Sequence, residues 1–186
     1  MIDLTKHFND FFLAGFNKVD IYNEASLQLE AVLFLRKTLP EYKVHIQKSK
    51  EFFKASSITK TGGIDISVFN DDMSEKYAIE LKYLDYGAGV PATMFKCVED
   101  VKACEELKMS GFTNTYCIAL AINHLFYKGD EQDGIYKYFR MEHSIYGTVS
   151  RPTGKGKHNY FTFHKKHDFE WKDVPGHKEK YYVIEI

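Results

Sequence analysis

Apolar side chains recur along this chain at two periods, one typical of helices and one typical of strands. Helical spacing over residues 3–16 and 24–38 predicts two amphipathic helices, and Asn23 is placed to cap the second. A third helix is predicted to begin at Pro91 and to end before Gly111. Its inward face is expected to carry Met94, Cys97, Val98, Val101 and Cys104.

Strands are predicted between and after these helices, in segments rich in β-branched and aromatic residues. They are residues 44–47, 64–69, 77–83, 116–122, 135–139, 160–164 and 181–186. The segment 116–122 is apolar almost throughout, as expected of a strand buried on both faces. From the second helix onward the order is α, β, β, β, α, β. We therefore predict an α/β fold in which helices flank a mixed sheet, with extra strands towards the C-terminus.

Length and composition favour one folded unit. A chain of 186 residues with 44% hydrophobic and 27% charged residues is ordinary for a globular protein, and we expect a single domain over residues 1–186. Its core is predicted to span about residues 22–125, followed by a β-rich extension over 126–186. The net charge of −1 gives no overall basic surface for nucleic acid. Residues 151–180 alone carry eight Lys and Arg against four Asp and Glu, which is compatible with a solvated basic face or with a local phosphate-binding surface.

The cysteines and the apolar runs bear on location. Cys97, Cys104 and Cys117 form no C-x-x-C pair, so we expect buried free thiols rather than a zinc site. The N-terminal residues lack a signal-peptide pattern, and the longest apolar runs are too short to cross a bilayer. The sequence therefore predicts a cytoplasmic protein without a membrane partner.

The most informative polar residues lie inside two of the predicted strands. Side chains alternate between the faces of a strand, so Glu80 and Lys82 project together from one face while their neighbours are apolar. Asp65 is placed in the same way in the preceding strand. Two carboxylates beside one ammonium suit a hydrolase that uses a divalent metal, because carboxylate oxygens bind the ion and the ammonium stabilises charge.

The spacing D-x(14)-E-x-K, with each acid inside an apolar strand, resembles the PD-(D/E)XK nuclease superfamily over about residues 22–125. The order of elements agrees with its restriction endonuclease-like core. The resemblance implies an Mg2+-dependent endonuclease, with Mn2+ as a substitute, acting on nucleic acid and on DNA rather than RNA. Asp65, Glu80 and the carbonyl of Leu81 would bind the metal, and Lys82 would position the water or stabilise charge. The chain is lean for a solitary restriction enzyme, which is compatible with a homodimer or a partner protein.

Family members often add an acid from the helix before the first core strand. On a helical wheel, Glu24 and Gln28 fall within the apolar arc of the helix 24–38. A carboxylate on such a face needs a counter-charge, so Glu24 is the candidate catalytic acid and Gln28 a candidate substrate-binding or supporting residue. Fraying of the first helical turn is the structural alternative for Glu24. Glu30 is the third candidate, although the wheel places it on the solvent side.

Other candidates were weighed against structural alternatives. Lys48, at the end of its strand, is a candidate phosphate contact, with a surface lysine as the alternative. Asp100 is predicted to lie on the solvent side of the third helix. A likeness to the GIY-YIG nucleases at residues 134–136 and 145–147 is not supported, because Pro152 interrupts the helix that should follow.

Two other functions compete with the nuclease. One is an inactive nucleic-acid- or protein-binding module that retains the fold, and the other is a structural protein with a surface Glu80–Lys82 ion pair.

Overall fold

The structure, a computed structural model, describes residues 1–16, 19–55, 60–86, 89–152 and 158–186. Its α-helices within these ranges are α1 (Leu4–Asp10), α2 (Glu24–Thr38), α3 (Val90–Met109) and α4 (Tyr136–Arg140). Its strands are β1 (Lys43–Lys48), β2 (Ile64–Phe69), β3 (Lys76–Leu84), β4 (Asn114–Ala121), β5 (Ser144–Ser150), β6 (Tyr160–Asp168), β7 (Lys172–Asp173) and β8 (Lys180–Glu185). A π-helical turn, Phe11–Gly15, continues α1, and short 3-10 helices cover Lys50–Phe53 and His124–Phe126.

A six-stranded mixed sheet has the strand order β1-β2-β3-β4-β8-β7. The first three strands are antiparallel, whereas β3 and β4 are parallel because α3 connects them. The sheet is completed by β8, which runs antiparallel to β4. The predicted α/β class with a mixed sheet is confirmed, and the order α2, β1, β2, β3, α3, β4 is the predicted one.

Each face of this sheet is covered by helices, which explains the apolar character of β4. Helices α1 and α2 pack on a cluster that includes Ile66, Ile79 and Leu81. Helix α3 packs on the opposite face, against a cluster that includes Cys117, Ala119 and Tyr182. Since Ile79 and Leu81 face α2, alternation directs the side chains of Glu80 and Lys82 towards α3.

The capping of α2 follows directly from its sequence. The Asn23 side chain accepts a hydrogen bond from the Ser26 N–H, and the Ser26 hydroxyl accepts one from the Asn23 N–H. This reciprocal capping box fixes the first turn of the helix. It also fixes the position of Glu24, the first residue of α2, beside the C-terminal end of β3.

The C-terminal part departs from the prediction. The predicted strand over residues 135–139 is wrong, because Tyr136–Arg140 forms α4. The buried residues Ile135, Tyr138 and Phe139 have helical spacing, which the strand interpretation overlooked. Strands β5 and β7 were not predicted. The extension is also joined to the core, since β8 and β7 extend the main sheet while β5 and β6 pair separately.

The three cysteines are free and buried, as predicted. Among the helices that the structure describes, none combines the length and apolar character needed to cross a bilayer.

Candidate functional site

Asp65 is held by hydrogen bonds from three directions. Its Oδ1 accepts from the Gln47 side-chain amide at 2.7 Å, and its Oδ2 accepts from the Leu81 N–H at 2.9 Å. The Gln28 side-chain amide donates to the backbone carbonyl of Asp65 at 2.5 Å. The ladder between β2 and β3 ends at the pair Ile66–Ile79, and beyond it the Asp65 carboxylate accepts from the backbone of β3 at Leu81. The Asp65 carboxylate is therefore fixed next to Leu81, close enough to Glu80 for its charge to raise the pKa of Glu80.

The backbone around Gln47 is shaped to deliver its side chain. Gln47 has a φ of +50°, a left-handed conformation uncommon for a residue other than glycine. Its carbonyl lies only 2.7 Å from the point that a Cβ on Gly63 would occupy. A glycine is thus required where β1 passes the start of β2. Strained backbone of this kind is concentrated at functional sites, and sequence analysis did not identify Gln47 as a site residue.

Glu80 lies in the most buried part of the site. Only 1% of the residue is exposed, and its Oε2 lies 2.5 Å from the Lys60 ammonium. Its other oxygen, Oε1, is buried without a hydrogen-bond partner among the described residues. Burial raises the pKa of Glu80 to about 8, the carboxylates of Asp65 and Asp100 act in the same direction, and Lys60 opposes them. A second cation or a proton near Oε1 would satisfy this carboxylate.

Asp100 is part of the site, so its predicted position on the solvent side of the helix is wrong. It is 2% exposed and accepts a hydrogen bond from Lys60 at 2.6 Å through Oδ1. Its Oδ2 lies 3.1 Å from the Lys82 ammonium. At about 100° per residue, Asp100 falls between Cys104 and Leu107 on the wheel of α3, and both of these residues are buried. A helical wheel that includes Leu107 therefore places Asp100 on the buried side of α3.

Lys82 points into the same cluster. Its ammonium donates to the Leu81 carbonyl at 2.8 Å and also lies 3.8 Å from Glu24 Oε1. The side chain is 14% exposed. Burial alone would lower the pKa of Lys82, but the carboxylates of Asp100, Glu24 and Asp65 outweigh it and raise that pKa. Lys82 is therefore a cation at neutral pH.

Glu80 and Lys82 do not form the surface ion pair of the alternative in which the protein is structural. Both side chains are largely buried, and each is paired elsewhere: Glu80 with Lys60, and Lys82 with Asp100. The interpretation of these residues as a solvated surface pair is therefore wrong. The pairs that replace it link β3 to α3 and to the segment that contains Lys60.

Glu24 and Gln28 both reach this part of the molecule from α2. Glu24 Oε2 accepts a hydrogen bond from the Tyr83 N–H at 3.3 Å, although its side chain is 49% exposed. Gln28 contacts the backbone of Asp65 rather than its carboxylate. Glu30 is half-buried further along α2, and no ion pair or hydrogen bond joins it to the cluster within the described part of the chain.

Lys48 does not join the carboxylates. Its ammonium lies 3.9 Å from the centre of the Phe52 ring, a cation–π contact beyond the end of β1. Lys60 contacts the carboxylates together with Lys82, although no local pattern in the sequence distinguishes Lys60. Its pairing depends on tertiary contacts between residues 20 and 40 positions apart.

A cavity of about 280 Å³ opens onto the two lysines. It is lined by Glu24, Lys60, Lys82, Tyr83, Thr93, Lys96, Glu99 and Asp100. A larger cavity of about 530 Å³ lies elsewhere, between α3 and strands β6 and β8. The smaller one is the relevant opening, because solvent or substrate can reach the buried charges through it.

The donor groups fit a hard divalent cation. The carboxylates of Asp65 and Glu80 and the carbonyl of Leu81 are oxygen donors of the type that Mg2+ and Mn2+ prefer, and Glu80 Oε1 accepts no hydrogen bond from the described residues. The described residues contain no group of three or more His, Cys, Asp or Glu side chains suited to a metal. Mg2+ commonly uses only one or two carboxylates and keeps several waters, so this smaller donor set is compatible with its chemistry.

Comparisons of the chain with protein-family models, with curated proteins and with solved structures found no match.

Proposed function

We propose that the protein is a metal-dependent nuclease that hydrolyses phosphodiester bonds, with DNA as the expected substrate. The observation that carries this proposal is the convergence of Asp65, Glu80 and Lys82: Asp65 accepts from the Leu81 N–H, between Glu80 and Lys82 in β3. Glu80 and Lys82 in turn both belong to the group of ion pairs around Lys60 and Asp100. The order of the core elements supports a restriction endonuclease-like core of the PD-(D/E)XK type. Buried charges are costly unless paired or used, and one buried oxygen of Glu80 accepts no hydrogen bond from any residue that the structure describes.

In this proposal, Asp65, Glu80 and the Leu81 carbonyl hold Mg2+ or Mn2+. When bound, the ion would polarise the phosphate and orient the attacking water. Hydrolysis forms a bond from the water oxygen to phosphorus and breaks the bond to the leaving oxygen, which takes up a proton. Lys82 remains protonated, so it contributes a positive charge and N–H donors rather than acting as a base.

The surrounding residues have supporting roles. Gln28 and Gln47 fix the orientation of Asp65 through its carbonyl and its carboxylate, respectively. Glu24 holds the end of β3 through the Tyr83 N–H and faces Lys82. Lys48 is proposed as a contact to substrate phosphate outside the carboxylate cluster.

The alternative is a nucleic-acid- or protein-binding module that retains the fold without activity. A specific observation favours it: Lys60 already supplies a positive charge to Glu80 and Asp100. Such a cluster of paired charges can be stable without a metal ion.

A cleavage assay separates the two functions. Duplex, branched and single-stranded DNA and a matched set of RNAs are incubated with Mg2+, Mn2+ or Ca2+. We expect nicking with Mg2+ and Mn2+ and little turnover with Ca2+, because the larger ion holds a looser ligand shell. Binding to one of these substrates without cleavage by either active metal would establish the binding module instead.

The cellular setting is also a proposal. Three buried free thiols support a reducing compartment such as the cytoplasm. We further propose that the chain acts as a homodimer or with a partner protein, which light scattering on the purified protein tests.

A further inference from the structure

A single positive charge lies between two buried carboxylates at the centre of the site. The Lys60 ammonium is 2.5 Å from Glu80 Oε2 and 2.6 Å from Asp100 Oδ1. The two carboxylate side chains are 0% and 3% exposed, whereas that of Lys60 is 20% exposed. The remaining Glu80 oxygen, Oε1, has no hydrogen-bond partner in the described part of the chain. Glu80 therefore faces Lys60 with one oxygen and offers the other to a further ligand.

The segment that carries Lys60 is anchored, so this contact is built into the fold. The side chain of Lys50 donates a hydrogen bond to the Lys60 carbonyl. Lys50 is itself 5% exposed, which is unusual for a lysine. A buried lysine thus holds the backbone of a second lysine whose ammonium reaches the carboxylates.

We propose that Glu80 and Asp100 form a second cation position of the site, and that the Lys60 ammonium fills it in place of a second divalent metal ion. This inference builds on the proposed metal-dependent nuclease. Two-metal hydrolases place ions about 3.5–4 Å apart, and one of them stabilises the leaving oxygen. A fixed ammonium beside the shared carboxylate Glu80 supplies positive charge at the equivalent place.

The geometry leaves Lys60 able to contact substrate. An ammonium has three N–H donors, and Lys60 uses two of them on the carboxylates. The third is left for a phosphate oxygen in the cavity that Lys60 lines together with Lys82. Loss of the Lys60 charge would leave Glu80 and Asp100 close together and buried, which favours uptake of a divalent ion with oxygen ligands.

The test is the number of Mn2+ ions bound per chain, measured by calorimetric titration. The variants are Lys60→Gln, which keeps an amide donor without the charge, and Lys60→Arg, which keeps the charge. Lys48→Gln is the matched control, because Lys48 contacts Phe52 rather than the carboxylates. We expect one ion for the wild type, Lys60→Arg and Lys48→Gln, and two for Lys60→Gln. Adding Asp100→Asn to Lys60→Gln should return the number to one.

The outcomes separate this inference from the proposed function. No gain of an ion in Lys60→Gln overturns the inference, whether the wild type binds one ion or none. No ion in the wild type but one in Lys60→Gln supports the inference and contradicts the proposed metal site. Two ions in the wild type also overturn it, because Lys60 would then exclude nothing.

A second measurement applies if Lys60→Gln does not fold without metal. Mn2+ should then restore its folding, measured by circular dichroism, and should fail to do so as effectively when Asp100→Asn is added. Equal responses of the single and double variants would overturn the inference.

Discussion

Replacing Asp100 with alanine should strongly destabilise the protein, because two largely buried lysine side chains share this carboxylate. Lys60 retains Glu80 at 2.5 Å, and loss of Asp100 removes one of the charges that raise the pKa of Glu80, so Glu80 ionises more readily as its partner. The ion pair that Lys82 retains among the described residues is with Glu24, at 3.8 Å and with a side chain that is 49% exposed. The cost is therefore dominated by Lys82, which is left with a poorly compensated charge.

The magnitude follows from the burial of these groups. Removing one partner of a buried ion pair costs about 3–5 kcal/mol. Because Lys60 keeps Glu80, we expect a loss at the lower end of this range, about 3 kcal/mol in the free energy of unfolding. For a chain of this size, that loss corresponds to a fall in Tm of roughly 6–12 °C. Alanine has a higher helix propensity than aspartate, so helix propensity alone would stabilise the variant and cannot account for a loss of stability.

Urea unfolding at pH 7, followed by circular dichroism, measures the difference in free energy of unfolding. Glu99→Ala is the matched control on the same helix, since Glu99 is half-buried and has no ion pair within the described residues. We expect Glu99→Ala to change the stability by less than about 0.5 kcal/mol. If the free energies of unfolding of the two variants are alike, Asp100 does not hold the lysines as the structure indicates.

Two further perturbations test the site. Gly63→Ala should cost about 1–3 kcal/mol, because its Cβ would lie 2.7 Å from the Gln47 carbonyl. Gly89→Ala, where no atom lies within 4 Å of the added Cβ, should cost less, and equal losses in thermal unfolding would refute this reasoning. Burial raises the pKa of Glu80 from 4.5 to about 8, so the folded state holds an extra proton between these values and stability falls as pH rises through them. Glu80→Gln should flatten this decline in urea titrations from pH 5 to 8.5, and an unchanged slope would contradict the assignment.

Much of the site could be predicted from the sequence because strand alternation is a rigid geometric rule. It predicts Glu80 and Lys82 on one face of β3, and in the structure both belong to the ion pairs around Lys60 and Asp100. The helical wheel likewise directed Glu24 and Gln28 towards the site, where both make hydrogen bonds to strand backbone. These features depend only on local periodicity.

The residues that were missed depend on other physical features. Asp100 lies between Cys104 and Leu107 on the wheel of α3, at the border of the apolar arc, where a charged residue alone predicts a solvent-facing position. Lys60 contacts Glu80 and Asp100 only through the tertiary fold, so no local pattern marks it. Gln47 reaches Asp65 from a left-handed backbone conformation, which no strand rule anticipates.

The helices and strands likewise divide into those that local sequence signals predict and those that depend on tertiary contacts. Helix α2 begins and ends where its capping residue and Pro40 predict, because both signals are local. The β-branched and aromatic residues of the segment 135–139 favour a strand, although the spacing of its buried residues is helical. Pairing of β8 with β4 joins distant parts of the chain and could not be read from either segment alone.

The central claim is that Asp65, Glu80 and Lys82 form a metal-dependent nuclease centre. The most direct measurement is DNA cleavage in Mg2+ by wild type, Asp65→Ala and Lys82→Ala, purified in parallel, with Mn2+ binding measured on each. We predict cleavage by the wild type only, with Mn2+ binding retained in Lys82→Ala and lost in Asp65→Ala, because an ammonium cannot ligate a cation. Cleavage that persists equally in all three preparations, or that is absent from the wild type on every substrate, would contradict the account.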